Sequence, residues 1–273
     1  MGHVYATGDW HGNWAASQKL MEFLQPEDTL YFLGDATDRG RHGVALFRQL
    51  MNDPRVIMIK GNHDLFLEQA IEYINYDEAE MKGLACFVRS YAGFDPYGWI
   101  TLNGGSATFD DLYKLSRKER DEIDITLKAM FTKAYYSSPE GHKVILEHAG
   151  YTPFKINLSE NPYKHHDPLW DREHFEESWG EGFDDTYLVH GHTPVQYLKF
   201  YYGYNGEQPL TKEEMKYKKD FNDDLPSNYK PTILRYCDGH KFDIDMCTIY
   251  SNRVALLDLD TFEEHYFDGK DKD

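Results

Sequence analysis

Five short apolar segments each run into a glycine-flanked turn carrying aspartate, histidine or asparagine. Val4–Thr7 leads into Gly8-Asp9-Trp10-His11-Gly12, and residues 29–33 lead into Gly34-Asp35-Ala36-Thr37-Asp38-Arg39-Gly40. Residues 56–59 precede Gly61-Asn62-His63-Asp64, and residues 144–146 precede Glu147-His148-Ala149-Gly150. The fifth, residues 186–189, precedes His190-Gly191-His192-Thr193-Pro194. One such turn is an ordinary punctuation signal. Five in series put polar groups at the carboxyl ends of strands, where α/β sheets hold their ligands. The pattern restricts the chain to an α/β architecture, a sheet core with covering helices.

The intervening segments fit that frame. Val44, Phe47 and Met51, then Leu67, Ala70, Ile71 and Ile74, recur at helical spacing. Residues 77–136 read as a helical insertion, with a capping box at Ser116 and Glu119 and an apolar face of Leu127, Met130, Phe131 and Ala134. A last strand is expected at 253–257. Residues 201–243, rich in Lys, Glu, Tyr, Asn and Pro, read as an irregular excursion over one face that tunes specificity. The charge run at 211–224 within it is expected to be a solvated surface. The length of 273 residues suits a single domain, 1–273.

Charge narrows the partners. With 47 acidic against 29 basic residues the formal net charge is −18, which argues against nucleic acid or an anionic membrane as partner. No apolar run approaches a membrane span and no signal peptide is visible. Cys86, Cys237 and Cys247 form no metal-binding pair and read as reduced thiols, which points to the cytoplasm.

The turn residues also fit together chemically. Imidazole, carboxylate and amide oxygen in one shell suit Mn, Fe or Zn better than Ca or Mg. Asp9, His11 and Asp35 are expected to hold one ion, and Asp35, Asn62, His148 and His192 a second, with Asp35 shared. A pair of cations clamps the attacking and leaving oxygens of a phosphoryl displacement. His148, read by itself, is a structural histidine; it enters the set because the second ion lacks a ligand without it. His190 ends a strand and is assigned to the core, leaving His192 as the ligand.

In this order the motifs G-D-x-H-G, G-D-x-x-D-R-G, G-N-H-D, His-Ala and G-H-T-P resemble the calcineurin-like metallophosphoesterases. Within that superfamily they are most similar to the serine/threonine phosphoprotein phosphatase branch of bacterial and phage-lambda type. Leu102-Asn103-Gly104-Gly105 and Leu169-Trp170-Asp171-Arg172-Glu173 add to the resemblance, which covers about 3–200 and 242–260. Asp243-Ile244-Asp245 and residues 253–260 look like the group's closing strand pair.

The resemblance implies a metallophosphoesterase-type β-sandwich flanked by helices. It implies two divalent ions, Mn²⁺ first with Fe or Zn as alternatives, on Asp9, His11, Asp35, Asn62, His148 and His192. Arg39 and Arg172 would grip the substrate phosphate. His63 would protonate the leaving group, with Asp38 orienting it. The implied activity is hydrolysis of phosphoserine or phosphothreonine by a hydroxide bridging the two metals. The alternative is a small phosphorylated substrate such as diadenosine tetraphosphate, and a non-catalytic scaffold ranks third. Two departures stand out: Asp64 where many relatives have Glu, and Ile244-Asp245-Met246-Cys247-Thr248 where the family has an I-D-T-G run.

Overall fold

The computed structural model describes residues 2–80, 94–150, 167–172, 174–176, 184–200 and 229–272. Its first sheet contains β1 (Val4–Thr7), β2 (Thr29–Phe32), β3 (Val56–Met58), β9 (Arg253–Asp258) and β10 (Glu264–Asp268), in the order β10-β9-β1-β2-β3. β1, β2 and β3 run parallel, and β9 joins β1 antiparallel. The second sheet holds β4 (Lys133–Ser137), β5 (Lys143–Glu147), β6 (Thr186–His190), β7 (Leu234–Tyr236) and β8 (Lys241–Asp243), in the order β4-β5-β6-β8-β7.

Period-two alternation explains how the sheets stack. Tyr5, Leu30, Phe32, Val254 and Leu256 point one way and are buried with the helices. Ala6, Ala255 and Leu257 point the other way and share a core with Val144, Leu146, Val189 and Phe242 of the second sheet. The fold is therefore an α/β sandwich, as expected. On its outer face lie α1 (Trp14–Phe23), α2 (Gly43–Asn52) and α3 (Asn62–Glu80). Asn13 caps α1 by accepting the Ala16 amide at 2.9 Å. Leu67, Ala70, Ile71 and Ile74 of α3 are essentially inaccessible.

Three helices follow: α4 (Pro96–Leu102), α5 (Ser106–Lys114) and α6 (Arg117–Ala129), the last opened by the Ser116–Glu119 capping box. The apolar face read through Ala134 stops sooner. α6 ends at Ala129, Phe131 is exposed, and Ala134 already belongs to β4. The reason lies in the backbone: Lys60 N donates to Phe131 O at 2.7 Å, drawing the chain alongside the end of β3.

Two further expectations need correction. The excursion read as irregular to 243 contains β7 and β8, and Lys241 within it is fully buried, its Nζ donating to His174 O at 2.6 Å. The rest of it, 201–228, lies outside the described residues, as do Cys86 and Glu173. Nor do the closing strands pair with each other. β8 belongs to the second sheet and β9 to the first, and the chain crosses between them through α7 (Val195–Phe200)-adjacent residues 244–247 and α8 (Thr248–Ser251). Cys237 and Cys247 carry no disulfide. No helix of the described residues is long and apolar enough to cross a membrane.

Candidate metal centre

The strand tips of both sheets converge on one buried cluster. Asp9, His11, Asp35, Asp38 and Arg39 all take positive φ, as does His192. Left-handed backbone costs an L-residue roughly 1–2 kcal/mol, so these turns are held by their surroundings. Those surroundings are tight. A Cβ on Gly191 would overlap Asp9 Oδ2, and one on Gly61 would overlap Asp35 Oδ1. Asp64 braces two of the loops by accepting the amides of Gly61 at 2.8 Å and Asp35 at 3.2 Å.

Asp35 sits at the middle. Its Oδ2 lies 3.4 Å from His148 Nε2 and 3.9 Å from His11 Nε2, while Oδ1 accepts the His63 amide at 2.9 Å. Two groups have ligand atoms within 4.8 Å of one another: His11, Asp35 and His63, and Asp9, Asp35 and His148. Asp35 is common to both. Asp9 is thus grouped with His148, whereas the sequence had placed it with His11. Asn62 Oδ1 lies 2.9 Å from both His148 Nε2 and His192 Nδ1.

Whether these residues suit cations is decided by their unmet needs. Asp9 Oδ2 and His192 Nε2 are buried with no hydrogen-bond partner. Burial, then Asp245, Asp35 and Asp243, push the Asp9 carboxyl well above the usual range. Burial and the Asp35 charge raise Asp64 to about 7, and burial raises Asp245 to about 6. A water-poor cluster of carboxylates is costly unless positive charge joins it. Burial also holds His11, His148 and His192 below the ordinary histidine value, which keeps the imidazoles neutral and able to ligate. The donor set fits metal ions.

His190 shows the contrast. Its Nε2 faces the Tyr236 hydroxyl at 2.8 Å and its Nδ1 lies 3.1 Å from Gly191 O, so both ring nitrogens are engaged within the core. His192 retains an unmatched Nε2.

Beside the carboxylates is a hydrogen-bonded His–Asp pair. His63 Nδ1 lies 2.7 Å from Asp38 Oδ2, which leaves Nε2 facing the cluster. That Nε2 and His11 Nε2 take the two ends of the Arg39 fork, at 3.1 and 2.9 Å. Arg172, from the second sheet's side, is exposed and donates from Nε to Thr193 Oγ1 at 3.0 Å. The Trp170 ring beside it stands 5.8 Å from that of His192.

The insertion supplies support that local pattern does not reveal. Trp99 Nε1 donates to Asp38 Oδ2 at 2.7 Å, and Thr108 Oγ1 accepts the Asp38 amide at 3.0 Å. Gly104 O accepts the Arg39 amide at 2.8 Å. These partners lie more than sixty residues from the groups they hold. The L-N-G-G resemblance was the one available signal, and it touches only Gly104.

A sequence model described as calcineurin-like phosphoesterase matches residues 2–225. The chain is 34% identical over 68 residues to a symmetrical bis(5′-nucleosyl)-tetraphosphatase of Coxiella burnetii, covering 24% of this chain and 23% of that protein. It is 33% identical over 73 residues to serine/threonine-protein phosphatase 2 of Escherichia coli, covering 26% of this chain and 33% of the relative. The chain thus spans a quarter to a third of the length of these curated relatives. A Saccharomyces cerevisiae serine/threonine phosphatase similar to human PP5 superposes with a TM-score of 0.50 at 12% identity, over 100% of this chain and 81% of that one. At that identity the likeness shows the fold.

Proposed function

The chain belongs to the calcineurin-like phosphoesterase family, and on that footing we propose that it hydrolyses phosphate monoesters at a dinuclear centre shared through Asp35. One observation carries the reading: Asp35 Oδ2 stands between His148 and His11, which arrive from different sheets. Asp9, His11, Asp35, Asn62, His148 and His192 are the proposed ligands, with Mn²⁺ as the first choice of ion and Fe or Zn as alternatives. Such ions, when bound, supply Lewis acidity and an acidified water at neutral pH.

The chain's own groups do the rest. Arg39 swings its fork from the imidazoles onto the substrate phosphate, a planar match for two oxygens. Arg172 approaches the same phosphate from the second sheet. His63 donates the Nε2 proton to the leaving oxygen, and Asp38 fixes the ring through Nδ1. A scaffold that only binds has no use for an acid so placed.

Phosphoserine and phosphothreonine are the first substrate reading, and small phosphorylated molecules such as diadenosine tetraphosphate the second. The second is favoured by Arg41, Lys270 and Lys272 on the rim of the centre. The test is a panel of chromogenic monoester, phosphoserine peptide and diadenosine tetraphosphate, run with Mn²⁺, Fe²⁺ and Zn²⁺ on metal-stripped protein. Metal-restored hydrolysis is expected. Protein that stays inert toward every ester with every ion refutes the reading.

A further inference from the structure

A cleft of about 200 Å³ opens directly off the centre, with His11 and Arg39 forming its inner wall. Its outer wall is made by Arg41 and by the end of the chain, Lys270, Asp271 and Lys272. Acidic residues outnumber basic ones by 47 to 29 in this protein. Yet Arg41, Lys270 and Lys272 are exposed and make no ion pair among the described residues. The single carboxylate in the cleft does not neutralise them. Asp271 accepts the amides of Trp14 at 3.1 Å and Ala15 at 2.7 Å, where a carboxylate is favoured at the start of α1.

That cap also fixes where the lysines stand. Gly269 N donates to Asn252 O at 2.9 Å, and Gly269 O accepts Asn13 Nδ2 at 3.0 Å. A Cβ at Gly269 would meet the Ala15 backbone carbonyl carbon at 2.5 Å, so the tail lies flat against α1. Four hydrogen bonds, two at Gly269 and two at Asp271, hold Lys270 and Lys272 at the rim.

We infer that Arg41, Lys270 and Lys272 form a second anion subsite that holds the non-reacting phosphates of an oligophosphate ester. The inference rests on the phosphoesterase reading and names its substrate class. Consecutive phosphates concentrate negative charge in a compact volume, as the cleft concentrates positive charge. The carboxylates of an acidic peptide are spread along an extended chain at about 3.3 Å per residue and alternate sides, so a compact cleft would meet few of them. Cations at the mouth also offset the repulsive field that a protein of charge −18 presents to any polyanion.

The test compares AMP with the imido-bridged analogue of ATP, which differ in phosphate number and not in nucleoside. Each is titrated calorimetrically onto metal-loaded protein, with metal in excess, for the parent and an Arg41→Ala/Lys270→Ala/Lys272→Ala variant. Asp271 is kept so that the tail stays docked, and a thermal melt confirms it. The parent is expected to favour the triphosphate by more than about ten-fold, and the variant by only about two-fold. An equal margin in the two proteins, or no margin in the parent, overturns the inference. So does a variant that keeps the nucleotide margin but loses affinity for an acidic phosphoserine peptide. Hydrolysis of p-nitrophenyl phosphate, followed in parallel, judges the phosphoesterase reading separately: its absence strikes that reading, while the nucleotide margin alone judges the rim.

Discussion

The two sheets feed the centre in different ways. The tips of β1, β2 and β3 bring carboxylates, the Asp38–His63 pair and Arg39, with left-handed backbone at Asp9, His11, Asp35, Asp38 and Arg39. The tips of β5 and β6 bring His148 and His192, of which only His192 has positive φ. Strain is thus concentrated on the first sheet, while β5 and β6 close the site with neutral imidazoles and the tip of β8 sets Asp243 and Asp245 against Asp9. The division teaches where each kind of failure should originate. Changes in the first sheet should alter charge and proton transfer; changes in the second should loosen one ion.

Asp35→Ala is the harshest way to break this contrast, because both close groups lose their common member. Hydrolysis of any ester should fall by at least about three orders of magnitude. Metal content by mass spectrometry should drop from two ions toward none. His192→Ala should cost one ion and leave the other. A protein that keeps two ions after Asp35→Ala would show that the sheets do not share a bridging ligand.

Next in size is His63→Asn. On a phosphoserine peptide or an alkyl phosphate, whose leaving oxygen needs a proton, kcat should fall by about 10²–10⁴. On p-nitrophenyl phosphate, whose leaving group departs as a stable anion, the loss should be far smaller. Equal losses on both would assign His63 to holding the loops. Metal removal should then lower the stability of the fold. If the ions bind only folded protein, loading at 100 times Kd adds about 2.7 kcal/mol, seen as a raised Tm that chelator reverses. The carboxylate crowding around Asp9 should be what this relieves.

The same contrast governs what could be read from the residues alone. The first-sheet loops were legible because strand, turn and polar residue are contiguous. So were the cap at Ser116 and the place of His190 in the core. Trp99 and Thr108 were not, because they reach Asp38 across 61 and 70 positions and no local periodicity encodes that. β7 and β8 were missed for another reason. They are three residues each and carry Arg235 and Lys241, and the burial of Lys241 is made tolerable by tertiary partners such as His174 O. The terminal Lys270-Asp271-Lys272 looks like any charged end until Asp271 is seen on α1.

A smaller effect sharpens the account of the crossing between sheets. Cys247 stands at φ 50°, where the resembled family has glycine, and its amide donates to Asp245 Oδ1 at 2.7 Å. Cys247→Gly should relieve left-handed strain, partly offset by glycine's greater freedom when unfolded. A net gain of about 0.5–1 kcal/mol in urea unfolding is expected, with little change in kcat. A loss of stability would mean that the thiol's own contacts outweigh the strain.

The smallest effect tests the outer edge of the first sheet, from which the tail departs. Arg253 lies 2.9 Å from Asp268 on β10, and Lys230 contacts the same carboxylate at 2.9 Å. Hydrogen bonding from Arg253, then from Lys230, lowers the Asp268 carboxyl to about 2, against burial. A depressed carboxyl contributes stability that is fully present above the ordinary value near 4 and is lost as pH falls through about 2. Asp268 is 45% exposed, so solvent screening limits the contribution to under about 1 kcal/mol. Asp268→Asn should therefore lower stability slightly at pH 7, and parent and variant should converge as pH drops from 4 toward 2. Because Gly269 follows directly, a variant that also loses triphosphate affinity would tie the rim to the edge strand, whereas unchanged affinity would leave Asp271 and Asn13 as its sufficient anchors.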